Sequence, residues 1–172
     1  QHQFGNYRPI SLLPAISKIF EKVVFAQIYN YLNSNNLLYK HQYGFRKHHS
    51  TELAAIELTD KIFDNLDKKK IPLAVFIDLS KAFDTIDHNI LLSKLQHYGI
   101  KGVALNWFHS YLTDRTQYVQ YKDQISTEKT ITTGVPQGSI LGPLLFIIYV
   151  NDIAKITKNF HFLIYADDTT LI

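Results

Sequence analysis

The chain has 172 residues and a mass of 19.9 kDa, with 46% hydrophobic and 19% charged residues, seven Gly, five Pro, and neither Cys nor Met. That composition excludes fibrous and low-complexity chains, suffices for one buried core, and removes disulfide frameworks, thiolate metal sites and cysteine nucleophiles together. Net charge is +3, with ten cations against six acids in residues 1–72 and eight against nine thereafter, a basic front half too dispersed to mark a polyanion surface by itself.

Gln1 to Asn6 carries no signal peptide and reads as the cut edge of a longer protein. Arg8 to Leu13 alternates loosely into Pro14, a residue suited to a first helical turn, where its missing N–H has no partner to lose. Ile16, Ile19, Phe20, Val23, Val24, Ile28, Tyr31 and Leu32 then recur at three- and four-residue spacing, which predicts a long amphipathic helix ending at Asn33-Ser34-Asn35-Asn36. After the loop Tyr43 to His49, Ser50 or Thr51 caps a second helix through Leu53, Ile56, Ile62, Phe63 and Leu66.

Pro72 closes a lysine-rich turn, and Leu73 to Ile77 is a continuous apolar run expected to form a strand covered on both faces. Asp87 caps a helix through Leu95 that stops at Gly99, and Gly102 to Leu112 forms another. Tyr118 to Tyr121 and Thr127 to Thr132 alternate like two strands around Lys122-Asp123-Gln124. A helix starts between Ser139 and Pro143, and a last strand, His161 to Tyr165, leads into Asp167-Asp168. Thr169 to Ile172 reads as a strand stopped in mid-course. The longest apolar run, Leu144 to Val150, falls far short of the roughly 18 residues of a spanning helix, so no membrane role is expected. Mixed helices and strands without repeats make an α+β domain.

Three features carry chemistry. Asp78, directly after five apolar strand residues, stands at a sheet rim where ligands meet α/β layers, or else caps the turn that follows. Asp167 and Asp168 converge only if they occupy a hairpin tip, although Asp also serves turns through its own backbone hydrogen bonds. Gathered carboxylates form an all-oxygen site suited to Mg²⁺ or Mn²⁺ and to two-ion phosphoryl transfer. Gly134-Val135-Pro136-Gln137-Gly138 permits close backbone approach to a flat or phosphorylated partner, or simply joins loop to helix. Phe83 lies beside any ligand held at Asp78 unless it is core. Arg8 and Arg46 are possible phosphate forks, and His48-His49 reads as a solvated pair.

The ordered set Val75 to Asp84, Gly134 to Ser139 and Tyr165 to Asp168 resembles motifs A, B and C of a reverse transcriptase. Tyr7-Arg8-Pro9-Ile10-Ser11-Leu12-Leu13 and Gln42-Tyr43-Gly44-Phe45-Arg46 resemble fingers motifs of non-LTR retrotransposon enzymes, the LINE or jockey-like group. This resemblance implies a right-hand polymerase fold, fingers over residues 1–71 and a palm over 72–172 truncated after motif C, with no thumb. It implies RNA-directed DNA synthesis from an RNA template, a DNA primer and deoxynucleoside triphosphates, with two Mg²⁺ or Mn²⁺ in their place, acting in the nucleus at the integration site. By position Asp78, Asp167 and Asp168 match the catalytic metal-binding acids, and Leu79 matches a backbone carbonyl on the metal. Phe83 matches the gate against a ribose 2′-hydroxyl, and Gln137 and Arg8 match nucleotide contacts. Gly138 and Arg46 match nucleic-acid contacts, Arg46 also reading as a structural one. A group II intron or retron-type enzyme is a variant of the same chemistry, disfavoured by the LINE-like Ser11-Leu12-Leu13 and Lys81-Ala82-Phe83-Asp84, and a degenerate or domesticated nucleic-acid-binding copy or a two-metal nuclease are the alternatives from other classes.

Overall fold

The computed structural model describes residues 10–172. Arg8 lies outside the described residues. Among the described residues five α-helices accompany three small antiparallel sheets, and the local signals explain most of the helix ends.

Helix α1 (Ala15–Ser34) starts directly after Pro14 and is left through Asn35 and Asn36, the latter at φ +52. Its apolar stripe is only half used: Tyr29 and Leu32 are buried, whereas Ile16, Ile19, Phe20 and Val23 are exposed. The N-terminal half instead buries Glu21, because that face meets the start of another helix. Helix α2 (Thr51–Asp67) is capped by the Ser50 hydroxyl, which accepts from Leu53 N at 3.3 Å.

Strand β1 (Val75–Ile77) is shorter and barer than expected. Phe76 is 71% exposed, and all three residues face solvent. The expected covering on both faces is thus corrected: the sheet order is β1-β7-β6, so the strand lies at an edge, and a short apolar run cannot distinguish edge from centre.

Helix α3 (His88–His97) carries both of its signals. Asp87 Oδ1 accepts from Ile90 N at 3.0 Å, while Gly99 (φ +92) closes a Schellman turn with Gly99 N to Gln96 O and Ile100 N to Leu95 O, each 3.0 Å. Helix α4 (Val103–Leu112) follows. The predicted pair Tyr118–Tyr121 and Thr127–Thr132 is redistributed along one ribbon. Strand β2 (Arg115–Gln117) pairs with β5 (Lys129–Ile131), and β3 (Gln120–Tyr121) pairs with β4 (Gln124–Ile125) around Lys122-Asp123. The ribbon breaks at Tyr118-Val119, so alternation was right in kind and displaced in position.

Helix α5 (Gly142–Val150) is the centre of the core. Leu144, Leu145, Phe146, Ile147 and Ile148 are all buried, which a helix apolar on every side requires. It packs on α3 and on Ile86, Leu91, Leu95, Phe108 and Leu112. Strands β6 (Phe162–Tyr165) and β7 (Asp168–Leu171) form a hairpin whose other flank lies on α2. No helix of the described residues is long and apolar enough to cross a membrane.

Candidate active site

The sheet register brings the acids of two distant segments to one end. Strand β1 pairs antiparallel with β7, Val75 to Leu171 and Ile77 to Thr169, so Asp78 emerges at the level where β7 begins with Asp168. In the hairpin Tyr165 faces Asp168, leaving Ala166 and Asp167 as a two-residue tip, and Ala166 takes the positive φ (+57) that such a tip demands at its first position.

Asp78 and Asp167 line one open cleft of about 590 Å³ together with Leu79, Phe83, Gln137 and Gly138. Asp168 is exposed and is not part of that lining. The carboxylates of the three acids are not all within 4.8 Å of one another. The donor set is oxygen throughout, from two carboxylates and the backbone beside Leu79, and fits a hard divalent cation better than a soft one.

The walls of the cleft are fixed from several directions. Phe83 is stacked on Phe146 at 4.7 Å between ring centroids, and Phe45 meets it edge-on at 5.9 Å. The loop after β5 is stitched to the segment after Asp78: Gly134 N donates to Ile86 O (2.7 Å), Val135 N to Phe83 O (2.9 Å), and Gln137 Nε2 to Asp84 Oδ1 (2.8 Å). The close approach that Gly134 (φ +84) permits is to the chain itself. A Cβ there would stand 2.8 Å from the Asp84 backbone. Ser11 N donates to Gln137 O at 2.8 Å from the other side.

The supporting roles of two residues were not visible in the sequence. Gln42, 3% exposed, uses its side-chain oxygen to accept from Gly44 N (2.8 Å) and from Ala166 N (3.1 Å), the latter in the hairpin tip itself. Tyr43 N to Ile164 O and Ile164 N to His41 O complete a parallel bridge beside it. Glu21, 1% exposed, accepts from Ile140 N (2.6 Å) and Leu141 N (3.2 Å), placing a carboxylate on the positive N-terminal end of α5. Gln42 belonged to a segment already singled out, but its partner is 124 residues away. Glu21 sat in a helix read for its apolar stripe. Lys81, at φ +54, adds a cation to the cleft lining. Arg46 turns inward: its Nη1 donates to Tyr39 O at 2.8 Å, a structural contact within its own loop.

The family described as reverse transcriptase (RNA-dependent DNA polymerase) matches residues 1–172. The probable RNA-directed DNA polymerase from transposon BS of Drosophila melanogaster is 37% identical over 154 residues, 86% of this chain and 16% of that protein. The RNA-directed DNA polymerase from the mobile element jockey of the same organism is 30% identical over 174 residues, 97% of this chain and 19% of that protein. The chain therefore spans about a sixth of the length of the curated relatives it matches. Among solved structures, Candida tropicalis telomerase in complex with a fragment of telomeric RNA superimposes with a TM-score of 0.60 at 19% identity, over 91% of this chain and 28% of that one. A partial Cas6-RT-Cas1–Cas2 complex gives 0.52 at 22% identity, over 94% and 27%.

Proposed function

The chain belongs to the reverse transcriptase (RNA-dependent DNA polymerase) family, and on that premise we propose that it is the fingers and palm, residues 1–71 and 72–172, of an RNA-directed DNA polymerase from a non-LTR retrotransposon. The reaction is template-directed addition of a deoxynucleotide to a primer 3′-hydroxyl. The Drosophila relatives bear that activity in their names, and RNA-directed synthesis calls for an RNA template. One observation carries the reading. Asp78 and Asp167 line a single cleft that also contains Phe83 and Gln137.

Reverse transcriptases work with divalent cations; here the assignment is two Mg²⁺, replaceable by Mn²⁺, held by Asp78, Asp167, Asp168 and the Leu79 carbonyl. When bound, such ions activate the primer hydroxyl and stabilise the charge developing on the triphosphate. The chain supplies the rest. Phe83, held between Phe146 and Phe45, presents an apolar wall in the cleft and is assigned the gate against a ribose 2′-hydroxyl. Gln137, oriented by Asp84, is assigned to the incoming nucleotide and template, and Gly138 to a nucleic-acid contact. Arg8 is assigned to the triphosphate.

The test is primer extension on poly-rA/oligo-dT with Mg²⁺ or Mn²⁺, using the full-length protein. Deoxynucleotide addition is expected and is lost in Asp78→Asn while primer-template affinity is retained. Undiminished synthesis by Asp78→Asn refutes the assignment. Template binding without extension by the wild-type protein refutes catalysis and leaves a nucleic-acid-binding copy.

A further inference from the structure

Away from the acidic cleft, three side chains from three separate elements meet at one point. His41 precedes the loop that braces the hairpin, Glu57 lies in mid-α2, and His161 stands just before β6. His41 Nδ1 is 2.6 Å and His161 Nε2 2.7 Å from the same oxygen, Glu57 Oε1. The two rings cross at 75° with centroids 4.4 Å apart, and the three donor atoms all lie within 4.8 Å of one another. Among the described residues this is the group of three or more His, Asp and Glu that closes so tightly.

We propose that His41, Glu57 and His161 bind one zinc-class transition-metal ion, at a site separate from the acidic cleft and independent of the polymerase reading. Two imidazole nitrogens and a carboxylate oxygen suit Zn²⁺ and are a poor match for Mg²⁺. An ion with bonds of about 2.0–2.2 Å sets its tetrahedral ligand atoms roughly 3.3 Å apart, so each imidazole nitrogen has to open from Glu57 Oε1 by less than an ångström and present a lone pair where it now shares a hydrogen bond. The side chains are 17%, 16% and 21% exposed, so the group is shielded yet reachable, which leaves the fourth tetrahedral position to water. The Tyr43 hydroxyl is hydrogen-bonded to the other carboxylate oxygen, Oε2, the outer partner that orients a ligating carboxylate. The ion would clamp α2, the 41–43 loop and the entry to β6. Since Gln42 in that loop holds the hairpin tip, the clamp stiffens the frame of the candidate active site.

The experiment measures metal on the full chain after EDTA treatment and dialysis against Zn²⁺, with Asp78→Asn as background so that cation binding in the cleft is weakened. One zinc per chain and a raised thermal midpoint are expected, both lost when His41→Ala or His161→Ala is added. Tyr43→Phe is expected to weaken zinc binding by roughly tenfold or more. No stoichiometric zinc, or zinc retained at unchanged affinity by the histidine variants, overturns the proposal. Circular dichroism reports whether those variants fold. If they do not, Co²⁺ bound to the chain with intact histidines decides: intense tetrahedral visible bands support the site, and weak octahedral bands or none overturn it.

Discussion

The Gln137 side-chain amide donates to the Asp84 carboxylate, Nε2 to Oδ1 at 2.8 Å, tying the loop before α5 to the segment that follows Asp78. An amide so held is aimed before any substrate arrives. A hydrogen bond to a charged group contributes about 1.5–3 kcal/mol, and about 1.4 kcal/mol is tenfold in an equilibrium. Asp84→Ala is therefore expected to lower kcat/KM for the incoming nucleotide by roughly tenfold. The double variant Asp84→Ala/Gln137→Ala should be no worse than Gln137→Ala alone, because the two side chains act as one unit. Additive losses in steady-state kinetics would show that Asp84 acts elsewhere.

Phe83 is held by stacking on one ring and edge contact with another, so it cannot swing aside to admit a larger sugar. Phe83→Val is expected to raise ribonucleotide incorporation relative to deoxynucleotide by about tenfold or more, the scale on which filled apolar space discriminates. Competitive incorporation of rUTP against dTTP measures the ratio. An unchanged ratio counts against the gate.

Gly44 is packed against the hairpin tip with no room for a side chain. A Cβ would stand 2.1 Å from Ala166 N and 2.7 Å from Ala166 Cα, backbone atoms that cannot yield separately from the turn. Gly44→Ala is expected to cost about 3 kcal/mol, the upper range for overpacking, and to displace Asp167. Chemical denaturation and primer extension should both register the change; a variant as stable as the wild type would show that the tip is not clamped there.

Tyr111 supplies a pH dependence of known sign. Burial above all, with the charge of Glu21 adding, pushes its hydroxyl up to about 12. The unfolded chain loses this proton near 10 and the folded chain keeps it longer, so folding binds more protons in that window and stability falls as pH rises through it. Wild-type protein should lose roughly 3 kcal/mol more between about pH 10 and 12 than Tyr111→Phe. Denaturant titrations at stepped pH test this, and parallel curves for the two proteins would contradict it.

How far the sequence reached depended on distance along the chain. Helix α3 was legible at both ends because Asp87 and Gly99 act on neighbours three or four residues away. Asp78, Asp167, Phe83 and Gln137 could be picked out by residue type and order, but their common cleft rests on the pairing of Ile77 with Thr169, which no local pattern encodes. The bare face of β1 and the exposed half of α1 show the same limit: apolar spacing marks an element without stating what covers it. The adjacent His48-His49 attract notice in the sequence, while the pair that meets is His41 with His161, brought together by the bridge between Gln42 and Ile164.

The β1–β7 pairing also orders events in time. The β6–β7 hairpin, joined by two residues, needs only local closure, which takes about 1–10 µs for such a unit. Strand β1 must find β7 across some 90 residues, a closure that costs roughly 4 kcal/mol in chain entropy and is repaid only once α3, α4 and α5 have packed between them. A chain leaving the ribosome thus carries Asp78 through some 90 further residues of synthesis without a counterpart, and the acidic cleft comes into being with β7 and not before.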